Sequence, residues 1–375
     1  MVCFLLAMCL FCGQSCEEVA RLLTAGVRDA RRWRTPWVVP STAAIWKAGS
    51  GLGVAPLREL FVRVCRPVAA PDTRGAFCRG WRLTAIDGTT FDLPGTKANV
   101  EVFGRPPCSG RGGQDVGYPQ LCTVGLVECG TRAAFGAAIG ALCTGERTLA
   151  RAVLASLRPG MLLLAGRGFY GVDLWRAAAA TGADLLWRVR KNLVLPVVGQ
   201  LPDGSYLTGI FDHSDIHHTR RGVPVRAVEY TIAGREGAYR LLTTILGPEA
   251  APAAELAALY AQRWEFESAL DEIKTRLGGA HLVLRSQHPD GAERELYGFL
   301  LSHHAIRHLM HQAARQTGRD PGPDLLHPLT ARRAPPGHRP GGVFPPADSP
   351  AWSKSPTLNS WNASCHDDAT GPTLA

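Results

Sequence analysis

Chemistry in an open α/β sheet sits where strands end, and two strand-like runs of this sequence end at places worth weighing. "WRLTAIDG" closes on Asp87-Gly88, a carboxylate followed by a glycine. "MLLLAGRGFYGVDLW" closes on Gly166-Arg167-Gly168, where a functional side chain would be expected and glycine stands instead. A phosphate-binding turn is one reading of those glycines, but no Lys-Ser/Thr pair follows them. A third stretch, "AELAALYAQRWEFESALDEIKTRL", reads as part of one long helix over residues 252–278. With Tyr260 as zero and about 100° per residue, Arg263 falls at about 300°, Lys274 at about 320° and Glu267 at about 340°. Tyr, Arg, Glu and Lys then share a stripe roughly 60° wide. Beside it, Leu259, Phe266, Leu270, Ile273 and Leu277 make an apolar seam at about 220–280°. A plain amphipathic helix with ion pairs four residues apart would look the same, so the stripe alone does not decide.

The elements that must position these residues follow from apolar period and punctuation. Residues 1–70 read as helical: "SCEEVARLL" has a Ser cap and acids in its first turn, and "APLRELFVRVCRPV" is closed by Pro67. Residues 72–80 read as a linker. From Trp81 the period becomes that of strands, with a hairpin over 121–142 turning near Gly130-Thr131. A helix over 145–157, the strand from Met161, a helix over 172–181 and a strand over 183–192 follow. Strands first antiparallel, then alternating with helices, predict a mixed α/β sheet. Residues 193–247 alternate as strands with Asp-Gly and Gly turns and read as a β-rich insertion. Two long helices, over 252–278 and 293–317, close the folded part. Beyond Gly318 prolines recur and no apolar period survives, so residues 318–375 are expected to be a disordered tail. The expected organisation is therefore a helical segment over 1–70, a core formed by 81–192 and 252–317, the insertion over 193–247, and the tail.

Composition bounds the function. A chain of 375 residues, 46% hydrophobic, can bury a sizeable core. Its net charge of +9 favours polyanionic partners, nucleic acid first. Arginine far outnumbers lysine, which a GC-rich coding sequence would also produce. Cys9, Cys12 and Cys16 lie close together inside an apolar run, and small buried hydrophobes are the simpler reading than metal ligands. The same holds for His213, His217 and His218, which read as a polar surface loop. The apolar start has no basic n-region and is too short for a membrane span. A reducing cytoplasm is the expected compartment.

The spacing of the helical stripe is specific. Tyr260, two residues, Arg263, three, Glu267, six, Lys274 resembles the signature of the DDE transposases of bacterial insertion sequences in the IS-four family. "AIDGTTFDLPGTKANVEVFG" resembles that family's first acidic region, with Asp87 at the strand end. "TGERTLARAVLASLRPGMLLLAGRGFYGVDLWRAAAATGADLLWRVRKN" resembles the stretch around its second acid. The likeness runs over roughly residues 15–315 in the family's order.

That resemblance implies a ribonuclease-H-like α/β core with a β-rich insertion between the second and third acids. It implies three carboxylates holding two Mg²⁺ ions, which activate a water and stabilise the leaving oxygen in phosphodiester cleavage. Asp87 takes the first position and Glu267 the third, both as catalytic and metal-ligating residues. Tyr260, Arg263 and Lys274 would lie along bound DNA, the two cations on phosphates. The implied partners are transposon terminal inverted repeats and target DNA in the nucleoid, with homodimer formation left open and no membrane role.

The second acid is where the sequence departs: the family reads Asp-Arg-Gly at the turn that reads Gly166-Arg167-Gly168 here. Asp173, inside the next helix, cannot easily replace it, and Asp92 is expected to be structural or to support the first acid. The start within the family's N-terminal region and the Pro-rich tail also depart, and with Gly166 they mark a degenerate, pseudogene-like copy. The resulting expectation is a DNA transposase by descent that binds element ends but has lost strand cleavage and transfer. The alternative is a catalytically dead DNA-binding protein that regulates related elements.

Overall fold

The computed structural model describes residues 1–29, 40–106, 117–212, 215, 222–231, 238–279 and 282–317. The expected loop histidines at 213, 217 and 218 and the tail from 318 lie outside them.

Four helices open the chain: α1 (Val2–Leu10), α2 (Cys16–Asp29), α3 (Thr42–Leu52) and α4 (Ala55–Val64). Ser41 caps α3 by accepting from the Ala44 amide, and Pro56 sits in the first turn of α4, where its missing N–H costs nothing. Cys9 and Cys12 behave as packing residues, their thiols donating to the Glu295 and Gly278 carbonyls. The expected linker before Trp81 holds a short strand, β1 (Phe77–Cys78), which pairs with the strand it precedes.

The sheet then builds from β2 (Trp81–Asp92), helix α5 (Lys97–Phe103), β3 (Gln120–Glu128), β4 (Ala134–Ala141), helix α6 (Glu146–Val153), β5 (Met161–Ala165), helix α7 (Val172–Ala179) and β6 (Asp184–Val189). The β3–β4 hairpin turns through Gly130 and Arg132, both at positive φ. Strand order is β4-β3-β2-β5-β6, with β2, β5 and β6 parallel and β3 and β4 antiparallel. This is the ribonuclease-H-like mixed sheet that the resemblance implies. The insertion supplies β7 (Gly199–Gln200), β8 (Tyr206–Ile210), β9 (Val223–Thr231) and β10 (Ala238–Thr243). Its strands extend the same sheet: β10 pairs antiparallel with β6, and β9, β8 and β7 follow outward.

Both faces of the sheet are covered, and the strands alternate accordingly. In β5, Leu162 and Leu164 join a core with Phe61, Phe266, Ile273 and Leu296. Met161, Leu163 and Ala165 join the opposite core with Leu149, Trp175 and Trp187. The first core is roofed by the C-terminal helices, the second by α6 and α7.

The stretch expected as one helix over 252–278 has four parts. Helix α8 (Ala253–Leu259) passes into a 3₁₀ turn (Tyr260–Arg263), then α9 (Trp264–Asp271), then a π-helical turn (Glu272–Leu277). The π turn shows in the bond from the Gly278 amide back five residues to the Ile273 carbonyl, 3.0 Å. A uniform angle per residue therefore does not hold along this stretch. Helix α10 (Pro289–Thr317) runs behind it. The start of α8 is held by the insertion. The Ala253 amide donates to Asp203 at 2.8 Å, and fully buried Arg226 bonds to Asp203, to Ser205 at 2.7 Å and to the Ala251 carbonyl at 2.7 Å.

Candidate active site

The strand expected to close at Asp87-Gly88 continues to Asp92, and register brings its middle beside the end of β5. β2 and β5 run parallel, with Ile86 opposite Ala165, so Asp87 and Gly166 follow side by side. Strand alternation sends a side chain at 166 the way of Leu162 and Leu164, onto the face roofed by α8–α10. Asp87, two residues beyond Ala85 of that same core, faces the same way. The backbone at Gly166 has φ −73° and ψ 168°, ordinary for any L-residue. A Cβ built there meets nothing within 4 Å. Neither conformation nor crowding requires glycine at this position.

The helical stripe meets these two strands residue by residue. The Tyr260 hydroxyl donates to the Ala165 carbonyl at 3.2 Å, tying the 3₁₀ turn to the last residue of β5. Burial pushes the Tyr260 phenol up to about 12. Arg263 bonds to Asp87 through one guanidinium nitrogen and to Glu267, at 3.2 Å, through another. Its guanidinium also stacks on the exposed Trp264 ring, 4.8 Å from the centroid. The Arg263 side chain is 13% exposed, against 22% for Asp87 and 46% for Glu267. Burial raises the Glu267 carboxyl above its usual range in spite of Arg263. Lys274, displaced by the π turn, donates to the Thr89 hydroxyl at 2.6 Å and the Thr90 carbonyl at 2.8 Å, over the Phe91 ring. Burial lowers its pKa. Asp87, Glu267, Tyr260, Arg263 and Lys274 thus gather around the second half of β2 and the end of β5. All three expected DNA contacts are engaged by the protein itself.

Asp92, the last residue of β2, accepts from Gln120 at 2.9 Å, while Asp173 lies exposed in the first turn of α7. One acidic residue at the site was not singled out in the sequence. Glu146, the first residue of α6, reaches the same place from the opposite face. A Cβ at Gly88 would collide with its Oε1, and one at Gly168 would lie 3.1 Å from its Oε2. Burial and the charge of Asp87 raise its carboxyl above the usual range. Its only sequence signal is an acid opening a helix after glycine, a pattern that capping explains equally well.

The back of the same helix carries a second set of charges. Arg132, at φ 59°, donates to Glu265 at 2.8 Å and Glu272 at 3.0 Å. Glu272 also meets His303 at 3.0 Å and Arg307 at 3.6 Å, both from α10. Burial works against the Glu272 charge, but the His303 hydrogen bond and the Arg307 and Arg132 charges hold its carboxyl down at about 2. This network fixes the helix that presents Arg263 and Glu267.

The residues present do not match the donor set for two divalent ions. Gly166 has no side-chain oxygen, and Arg263 stands between the two acids that remain. Among the described residues no group of three His, Cys, Asp or Glu side chains is placed to hold a metal. No helix among them is long and apolar enough to cross a membrane.

Comparison with known proteins identifies the family. Residues 1–62 match the family Insertion element 4 transposase N-terminal, and residues 80–303 match Transposase DDE domain. The Escherichia coli (strain K12) protein "Transposase InsG for insertion sequence element IS4" is 28% identical over 279 residues, 73% of this chain and 62% of that protein. The chain therefore spans somewhat under two thirds of that relative. A solved structure of Endonuclease V from Streptomyces avermitilis aligns with 63% of this chain and 96% of that one, at 16% identity and a TM-score of 0.25, too slight a likeness to build on. The DDE domain match covers more than half of the sequence, it includes both strands and the helix that reaches them, and the chain belongs to the DDE transposases of the insertion element 4 type.

Proposed function

We propose that this chain descends from a transposase that binds the ends of its element and cuts and joins DNA strands with divalent metal, and that this copy no longer cuts. One observation carries the reading: Gly166 lies beside Asp87 at the end of a parallel strand pair, on the face that Arg263 and Glu267 reach. That is where the family's second acid belongs. Phosphodiester cleavage by two ions needs carboxylates from several elements converging on one point. Here one of them is replaced by a hydrogen atom in a backbone that would accept Asp unchanged. In this reading Asp87 and Glu267 are the surviving acids, Tyr260 fixes the β5 end, and Arg263 and Lys274 are the cations nearest an approaching phosphate.

The test compares the purified chain with its Gly166→Asp variant on DNA carrying the element's terminal repeats, with Mg²⁺ or Mn²⁺. The expected result is strand cleavage by the variant and none by the unmodified chain. Robust cleavage by the unmodified chain would refute the loss of activity. The net charge of +9 favours a second reading, a non-cutting DNA-binding regulator of related elements. Salt-dependent gel shifts with preference for terminal repeats over random DNA are expected under it, and the absence of preference removes it.

A further inference from the structure

The acid pair of this site is already served by a cation of the chain. Arg263 reaches both Asp87 and Glu267, rests on the Trp264 ring and is largely buried. A guanidinium presents its donors in a rigid fork and stays charged at every pH at which the protein is folded. For a divalent ion to take oxygens from both acids, Arg263 would have to leave both. The ion would then find two carboxylates and, at Gly166, no third.

We propose that Arg263 is the resident cation of this site and that the folded chain keeps its acid pair closed to divalent ions. The inference rests on the preceding reading only in taking Asp87 and Glu267 as the metal-ligating acids of the family. Charge counting supports it. Two carboxylates face one guanidinium on this side of the sheet end, with Glu146 on the other side. A further carboxylate at 166, on the Asp87 face, exceeds what one guanidinium neutralises and supplies the missing oxygen ligand. The open space and ordinary backbone at Gly166 let that substitution be made without disturbing the fold. The same position that ended two-ion chemistry therefore decides whether arginine or metal holds the acids.

The experiment titrates Mn²⁺ alone into the full chain by calorimetry, with melting temperature followed in parallel. The unmodified chain is expected to show no saturable binding at millimolar Mn²⁺ and an unchanged melting temperature. Gly166→Asp is expected to bind at least roughly tenfold more tightly, by analogy with the loss seen when a metal site is impaired, and to melt higher with Mn²⁺. Arg263→Gln, kept if its melting shows it folded, is expected to bind Mn²⁺ better than the unmodified chain. Saturable binding by the unmodified chain that Asp87→Asn abolishes would overturn the proposal. So would binding that Glu146→Gln abolishes, which would make Glu146 the third ligand. A folded Gly166→Asp chain that binds no better than the unmodified one would overturn it too. Gel shifts in EDTA judge DNA binding separately, so failure of the DNA reading and failure of the arginine proposal give different results.

Discussion

Two faces of one helix carry acid–arginine pairs, and they are built differently. At the front, Glu267 meets Arg263 in a pair that is nearly half open to water on the acid side. At the back, Glu272 meets Arg132, Arg307 and His303 with only 3% of its side chain exposed. The front pair lies at the water's edge, so the fold depends on it little. The back set is different, because two arginines and a hydrogen-bonded His303 hold one acid in a place water scarcely reaches. The difference assigns the faces their parts: the back holds the helix still, and the front is where something can change.

The largest expected effect tests the back. Glu272→Ala leaves Arg132 and Arg307 buried without their shared acid and is expected to cost about 3–5 kcal/mol in urea unfolding. A loss below about 1 kcal/mol would break the comparison. Acid titration sharpens it. Glu272, held at about 2 against an ordinary 4.5, lends stability that is fully present above about pH 4.5 and drains away as pH falls toward 2. The amount is about 3 kcal/mol, and a Glu272→Gln chain should lose that slope in unfolding measured across the range. Glu267 works in the opposite direction, since its carboxyl is raised and acid does not cost the folded state there. The smallest effect tests the front: Glu267→Gln is expected to change stability by less than about 1 kcal/mol. A larger loss would mean that the front pair is also structural.

The strands were legible in the sequence because glycine punctuation and a two-residue period survive in it. "MLLLAG" announces where β5 stops, but "TAIDG" reads as a stop where there is none: β2 runs on to Asp92, paired with β3 to its last residue. The mixed sheet and the place of Gly166 follow from those runs. The helix was legible as an amphipathic element but not in its winding. A wheel of fixed angle cannot show that residues 260–263 tighten and residues 272–277 loosen, which is why Lys274 reaches the β2 backbone instead of extending the stripe. Glu265 and Glu272 fall at about 120–140° on the same wheel, away from the apolar seam, and so read as a solvated face. The β3–β4 turn with Arg132 and helix α10 with His303 and Arg307 make that face interior. Glu146 was hidden for a similar reason: its approach to Gly88 and Gly168 is set by how α6 packs on the sheet, and no local spacing records that.

The insertion has a consequence for what this lineage can discard. Asp203 and Arg226 belong to its strand region, yet the amide they secure is the first of the helix bearing Arg263 and Glu267. A deletion trimming these outer strands would remove an anchor from the far end of the working helix, some sixty residues of chain before Glu267. Shortening the protein from within is therefore mechanically harder than its modular look implies. A change at one side chain in open space, such as position 166, asks less of the fold than the loss of a strand that frames it.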